Sequence, residues 1–219
     1  MAANTAGAAA DNRQPGQATM KPSTLAACTS STLANAARYA DELADAMPRF
    51  SINTSNRVAC FLANVAHETR GLAAVEEDLY YTTPDRLRAI FPSLFVAAKG
   101  GKYQAEAFAR KPAELSRIKY GGYHGRGLMH LTWRENYQAA GDALGVDYVA
   151  WPELVTQPKH AALTACWFWA EFKDLNALAD RAAMREIRVK VNGPAALGMS
   201  ETITQRQVAL RAIAAEGVA

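Results

Sequence analysis

Cysteine is scarce in this chain. Cys28, Cys60 and Cys166 are an odd number with no CxxC spacing, which argues against a disulfide framework or a cysteine-bound zinc site. Cys60 and Cys166 fall inside apolar helical patterns, the usual setting of a small buried thiol. No apolar run approaches the roughly 20 residues that a bilayer demands, so no membrane insertion is expected. A strong excess of either charge is also lacking, with 24 basic and 21 acidic side chains. A net charge of +3 and a pI near 8.8 suit an anionic surface, but no basic cluster interleaved with aromatics argues for nucleic acid. Residues 1–22 have neither a basic head followed by an apolar core nor a cleavage site. They read as a disordered tail rather than a secretory signal, and synthesis in the cytoplasm is expected.

What is present fits a globular protein. Half of the 219 residues are hydrophobic, enough for one domain with a full core or for two small lobes sharing a cleft, and 23–219 reads as a single domain. Leu33, Ala36, Ala37, Ala40, Leu43 and Ala44 predict an amphipathic helix over Ser31–Met47, ended by Pro48. Thr54 or Ser55 caps the next helix, where Val58, Phe61, Leu62 and Val65 form one apolar stripe and Gly71 marks the exit. Thr83 before Pro84 predicts another helix start, and short helices are expected between Phe95 and Lys119. Four glycines between Tyr120 and Gly127 predict an open loop, with Leu128–Trp133 as a short extended segment. Helices resume at Arg134–Leu144, Gln157–Phe172 and Met184–Val191, and Thr202 with Gln205 suggests a capping box for the last one. The chain is mainly α.

The stripe of the second helix, continued by three residues, lands on Glu68. A carboxyl on a buried face at the negative end of a helix dipole favours its protonated form, so Glu68 is a candidate proton donor. Glu76, Glu77 and Asp78 follow on a loop. One acid kept neutral and one kept charged is the pairing that glycosidic hydrolysis uses, although most glutamates near helix ends simply sit in water.

Several segments together resemble glycoside hydrolase family 19: AHET, GLAAVEEDLYY, GRGLMHLTWRENY, the Trp-Phe-Trp helix with LNALAD, and VNG, in that order between about Asn35 and Ile213. They look closest to its bacteriophage endolysin and bacterial lysozyme-like branch. The resemblance implies a lysozyme-like, two-lobed helical fold with a central cleft, and an inverting hydrolysis of β-1,4 links between N-acetylated amino sugars. Carried over by motif, Glu68 is the acid, Glu77 the base, with Glu76 as its neighbour and rival, and Thr132 the hydroxyl that holds the attacking water. His130 stands where the family has a glutamine lining the sugar subsites, and Trp133 where it has glycine or a small polar residue. Asn192 matches a sugar-contacting asparagine, with Pro194 in place of the family's second glycine. Tyr123, Tyr137 and Arg126 complete the expected substrate-binding set, Arg126 being equally a partner for an acid such as Glu68. Arg206 is aligned with the family's last-helix arginine.

Inversion needs the two carboxyls roughly 6.5–9.5 Å apart, to leave room for a water. His124 and His130 lack a third ligand at suitable spacing, so no metal and no cofactor is expected. The branch implies peptidoglycan as partner, a monomer that lyses bacterial walls, and access to the periplasm through a holin or a delivery system. A chitinase and a wall-binding module without catalysis are the competing readings. The acid pair with Thr132 argues against the second.

Overall fold

The computed structural model describes residues 20–216. Among them the architecture is helical: α1 (Pro22–Thr29), α2 (Leu33–Ala37), α3 (Ala40–Arg49), α4 (Ser55–Thr69), α5 (Pro84–Ile90), α6 (Pro92–Phe95), α7 (Pro112–Tyr120), α8 (Arg134–Leu144), α9 (Pro158–Trp167), α10 (Asn176–Asp180), α11 (Met184–Asn192) and α12 (Met199–Glu216). The expected tail lies outside the described residues up to its last three, and Pro22 already opens α1. The single helix expected over Ser31–Met47 is two, and Pro48 sits inside the last turn of α3 rather than beyond it.

α4 is the axis of the larger lobe. Thr54 caps it, its hydroxyl accepting from the Arg57 amide at 3.3 Å. Phe61, Leu62 and Val65 are fully buried, each burial contributing roughly 1.5–3 kcal/mol. α12 and α1 pack along it, and Trp169 sets its ring edge-on to Phe61 at 5.5 Å. The helix ends where Arg70 turns left-handed and the Gly71 amide returns to the Ala66 carbonyl at 2.8 Å. Thr69 tightens the exit, donating to the Val65 carbonyl and accepting from the Leu72 amide.

A second, smaller core of Leu79, Leu87, Phe91, Phe95, Ala105 and Leu115 lies apart from the main one. Thr83 caps α5 as its sequence predicts, accepting from the Arg86 amide. The segment from Val75 to Leu79 joins the lobes, since Val75 packs on the main core and Leu79 belongs to the small one.

Several local expectations are overturned by tertiary packing. Leu128–Trp133 is no strand. The extended pairing around it consists of two isolated bridges, Glu76 with Arg126 and Arg126 with Leu131. The predicted Gln157–Phe172 helix is α9 followed by a π-helical turn over Phe168–Phe172. Thr202 caps nothing, because α12 starts at Met199 and the Thr202 hydroxyl bonds back to the Gly198 and Met199 carbonyls. Gln205 instead ties α12 to α1 through the Cys28 carbonyl. All three cysteines are buried, and burial pushes the Cys28 thiol up to about 11. No described helix is long and apolar enough to cross a membrane.

Candidate active site

Glu68 sits in the last turn of α4 with its side chain 19 % exposed, so it is reachable yet mostly covered. Its partner is Arg188 of α11; Arg126 is the buried partner of an acid, one of the two roles its sequence allowed, but that acid is Glu76. The Arg188 guanidinium is fully buried. It donates to Glu68 Oε1 at 2.8 Å, to Asn64 Oδ1 at 2.9 Å and, through Nε and a second terminal nitrogen, to the Leu197 carbonyl. Asn64 lies one turn before Glu68 and is itself anchored to the Cys60 carbonyl. Glu68 is therefore half of a buried ion pair, and not a lone carboxyl on an apolar wall as the stripe implied. The loop after α11 closes over this pair. Gly198, at φ +73°, packs so closely on the His67 ring that a Cβ there would overlap it.

Nine residues further on, the chain reaches Glu77. Its backbone amide donates to the Gly125 carbonyl at 2.8 Å. Glu77 Oε1 accepts from the Tyr120 hydroxyl at 2.8 Å and Oε2 from the Gly125 amide at 3.2 Å. Burial first, then the hydrogen bond to the Glu77 carboxylate, push the Tyr120 phenol well above its usual range. Gly125 is where the site converges. A Cβ built on it would lie 3.4 Å from Thr132 Oγ1, 3.5 Å from Glu77 Oε2 and 3.2 Å from the His130 Cβ. A methyl group here would fill the space between these groups and press on the His130 Cβ. The Thr132 hydroxyl donates to the His130 carbonyl at 2.8 Å, which leaves its lone pairs to accept from another donor.

Glu76 points elsewhere. Its Oε1 accepts from His124 Nε2 and from Arg126 Nε, both at 2.9 Å, and the carboxylate is half exposed. His124 Nδ1 meets the Ser116 hydroxyl at 2.7 Å. Burial first, then the Arg126 charge, lower the His124 imidazole below its ordinary value against the pull of Glu76. The ring is therefore neutral near pH 7, with Nε2–H donating to Glu76 and Nδ1 accepting from Ser116. A groove of about 410 Å³ runs past Glu76, Glu77, Asp78, Tyr80, Pro112 and His124.

The remaining expected contacts divide. Tyr137 is fully buried; its hydroxyl donates to the His124 carbonyl and accepts from Arg126, and burial pushes it up to about 12. Tyr123 stacks edge-on against Tyr137 and donates to the Val149 carbonyl. With Arg126, largely buried, these side chains form the support under the loop, and Tyr137 and Arg126 are corrected from sugar contacts to that role. His130 Nε2 is held at the Ala74 carbonyl, 3.0 Å away, so the imidazole ties the loop to the Glu68–Glu77 connection. Trp133 is 45 % exposed with its ring against Tyr120, and Asn192 is exposed at the end of α11. His130 and Trp133 both have positive φ, 45° and 76°, so the backbone on either side of Thr132 is strained by about 1–3 kcal/mol at each. Arg206 is not at the site: it donates to Asn56 Oδ1.

Two contributors escaped the sequence reading, Arg188 and Tyr120. Arg188 had a signal, because Met184, Ile187, Arg188 and Val191 form a helical stripe with one cation in it. Among the described residues no group of three histidine, cysteine or acidic side chains is placed to hold a metal.

Residues 26–184 match the family model described as Chitinase class I. Endochitinase CHI of Arabidopsis thaliana is 34 % identical over 128 residues, 58 % of this chain and 40 % of that protein. Chitinase 10 of Oryza sativa subsp. japonica is 31 % identical over 167 residues, 71 % of this chain and 51 % of its own length. The chain thus spans about half or less of the curated relatives it matches. The lysozyme-like fold, helical among the described residues, is similar to that of chitinase C from Streptomyces griseus HUT6037, with a TM-score of 0.62, 24 % identity, and coverage of 92 % of this chain and 95 % of that one. These matches overturn the expected endolysin and lysozyme-like branch. The family model and the curated relatives are chitinases, and peptidoglycan loses its place as the expected partner, together with the wall-lysing role.

Proposed function

Since this chain belongs to glycoside hydrolase family 19, we propose that it hydrolyses the β-1,4 links of chitin, a polymer of N-acetylglucosamine, with inversion at the anomeric carbon. The observation that carries the reading is the Gly125 corner, where Glu77 Oε2 and Thr132 Oγ1 face the same small space. A water there donates one hydrogen to Thr132 and the other to Glu77, which aims its lone pair outward at a sugar carbon. Glu77 takes the proton as the C–O bond forms. Glu68 gives its proton to the bridging oxygen, the glycosidic bond breaks, and the leaving sugar departs with a new hydroxyl. Arg188 then pairs with the carboxylate that proton transfer leaves on Glu68, which stabilises that charge as it develops. Glu77 is preferred over Glu76 as base, because Glu76 is already committed to a guanidinium while the partners of Glu77 among the described residues are a neutral phenol and an amide. Asn192 and His130 are the further groups proposed to line the sugar path.

Purified protein incubated with N-acetylchitohexaose, with the anomer of the fresh product followed by NMR, tests this reading. The α-anomer is expected. Glu68→Gln and Glu77→Gln should each lower kcat by about 10²–10⁴-fold, and Glu76→Gln by less than tenfold. A β-anomeric product, or Glu68→Gln retaining a tenth of the rate, would overturn it.

A further inference from the structure

Trp133 is the side chain that this mechanism leaves unused, and its setting is unusual. It has φ 76° and ψ 138°, close to a region that only glycine occupies without strain. Neither hydrophobic core includes it, and 45 % of it faces solvent. Burial therefore does not explain a tryptophan in a backbone position where glycine would be relaxed. The position is nevertheless firmly held. The Trp133 amide donates to the Tyr123 carbonyl at 2.8 Å, the ring meets Tyr120 edge-on with centroids 5.2 Å apart, and Lys119 Nζ lies 5.9 Å from the ring centroid. Tyr120 is the same residue that donates to Glu77, and Thr132 is the next residue back along the chain.

We propose that Trp133 is a stacking platform for an N-acetylhexosamine ring on the Glu77 side of the groove, a binding subsite that sets how tightly longer oligomers are held. The proposal rests on the chitin reading above. A pyranose presents an apolar face of C–H groups, and an exposed indole offers a broad, rigid, apolar surface to cover it. The Lys119 ammonium lies over one face of the indole and holds the ring, so the sugar takes the opposite face. Because Tyr120 touches both the indole and Glu77, a ring seated on Trp133 is placed in register with the base.

The test is calorimetric binding of N-acetylchitohexaose to the Glu68→Gln protein, with and without Trp133→Gly. Glycine removes the platform and also relieves the backbone. The expected result is affinity about tenfold weaker together with a melting temperature unchanged or raised by about 2–4 °C. Trp133→Phe, which keeps a ring on the same strained backbone, should stay within about threefold of the parent, while Trp133→Ala should weaken binding as glycine does. Unchanged affinity in Trp133→Gly or Trp133→Ala overturns the platform. So does a drop in melting temperature with affinity intact, which would mark Trp133 as a packing residue. Failure of the Glu68→Gln parent to bind the hexamer at all would instead reject the chitin reading beneath it.

Discussion

Replacing Arg188 by methionine, a side chain of similar length without charge, is the sharpest probe of the larger lobe. The guanidinium is fully buried and serves three acceptors: Glu68, Asn64 and the Leu197 carbonyl. Removing one partner of a buried ion pair costs about 3–5 kcal/mol, because the other is left uncompensated. Here water reaches Glu68, whose side chain is 19 % exposed, so the charge itself accounts for the lower part of that range. The abandoned Asn64 and Leu197 oxygens add about 1 kcal/mol or more each. A loss of about 5 kcal/mol in urea denaturation at pH 7 is expected, or about 10–20 °C in Tm for a chain of this size. A double-mutant cycle gives the decisive reading. Glu68→Gln on top of Arg188→Met removes the stranded charge and should recover about 1–2 kcal/mol relative to additivity. A single-variant loss under 1 kcal/mol, or strictly additive effects, would refute the coupling of Glu68 to Arg188.

Gly125→Ala would place a methyl group between Glu77 and Thr132; kcat on chitohexaose should fall at least tenfold while the urea midpoint changes little, and comparing the two measurements checks it. His124 gives a pH signature. Its folded-state value lies below the ordinary 6.5, so its contribution to stability is present above about pH 6.5 and declines as the pH falls below it, where the unfolded chain binds more protons. His124→Gln should flatten the fall in urea midpoint between pH 7 and 5, leaving the smaller slope due to His160, which burial also lowers.

Features governed by neighbours in sequence were legible. Thr54 and Thr83 cap helices because a hydroxyl needs only the amide three residues ahead, and the stripe from Phe61 to Val65 leads to Glu68. The glycine-rich stretch also announced a loop. What the sequence hid depends on partners far along the chain. Glu68 meets a cation 120 residues away, and Arg126 had equally good local reasons to be that cation. The choice between Glu76 and Glu77 likewise rests on the turn at Gly125, which decides the direction of each carboxylate. Thr202 and Gln205 have the spacing of a capping box, but the carbonyls of Gly198 and Met199 extend α12 backward past them. The branch of the family was misjudged because the motifs that carry the chemistry say little about which polymer fills the groove.

The short connection from Val75 to Leu79 is rooted at one end in each core. Glu68 travels with the larger body, whereas Glu77 rides the tether between them. Any rocking of the small body therefore stretches or shortens the distance across which a water must fit. Under the proposed chemistry, grip on the polymer and readiness for bond cleavage would then share one mechanical coordinate.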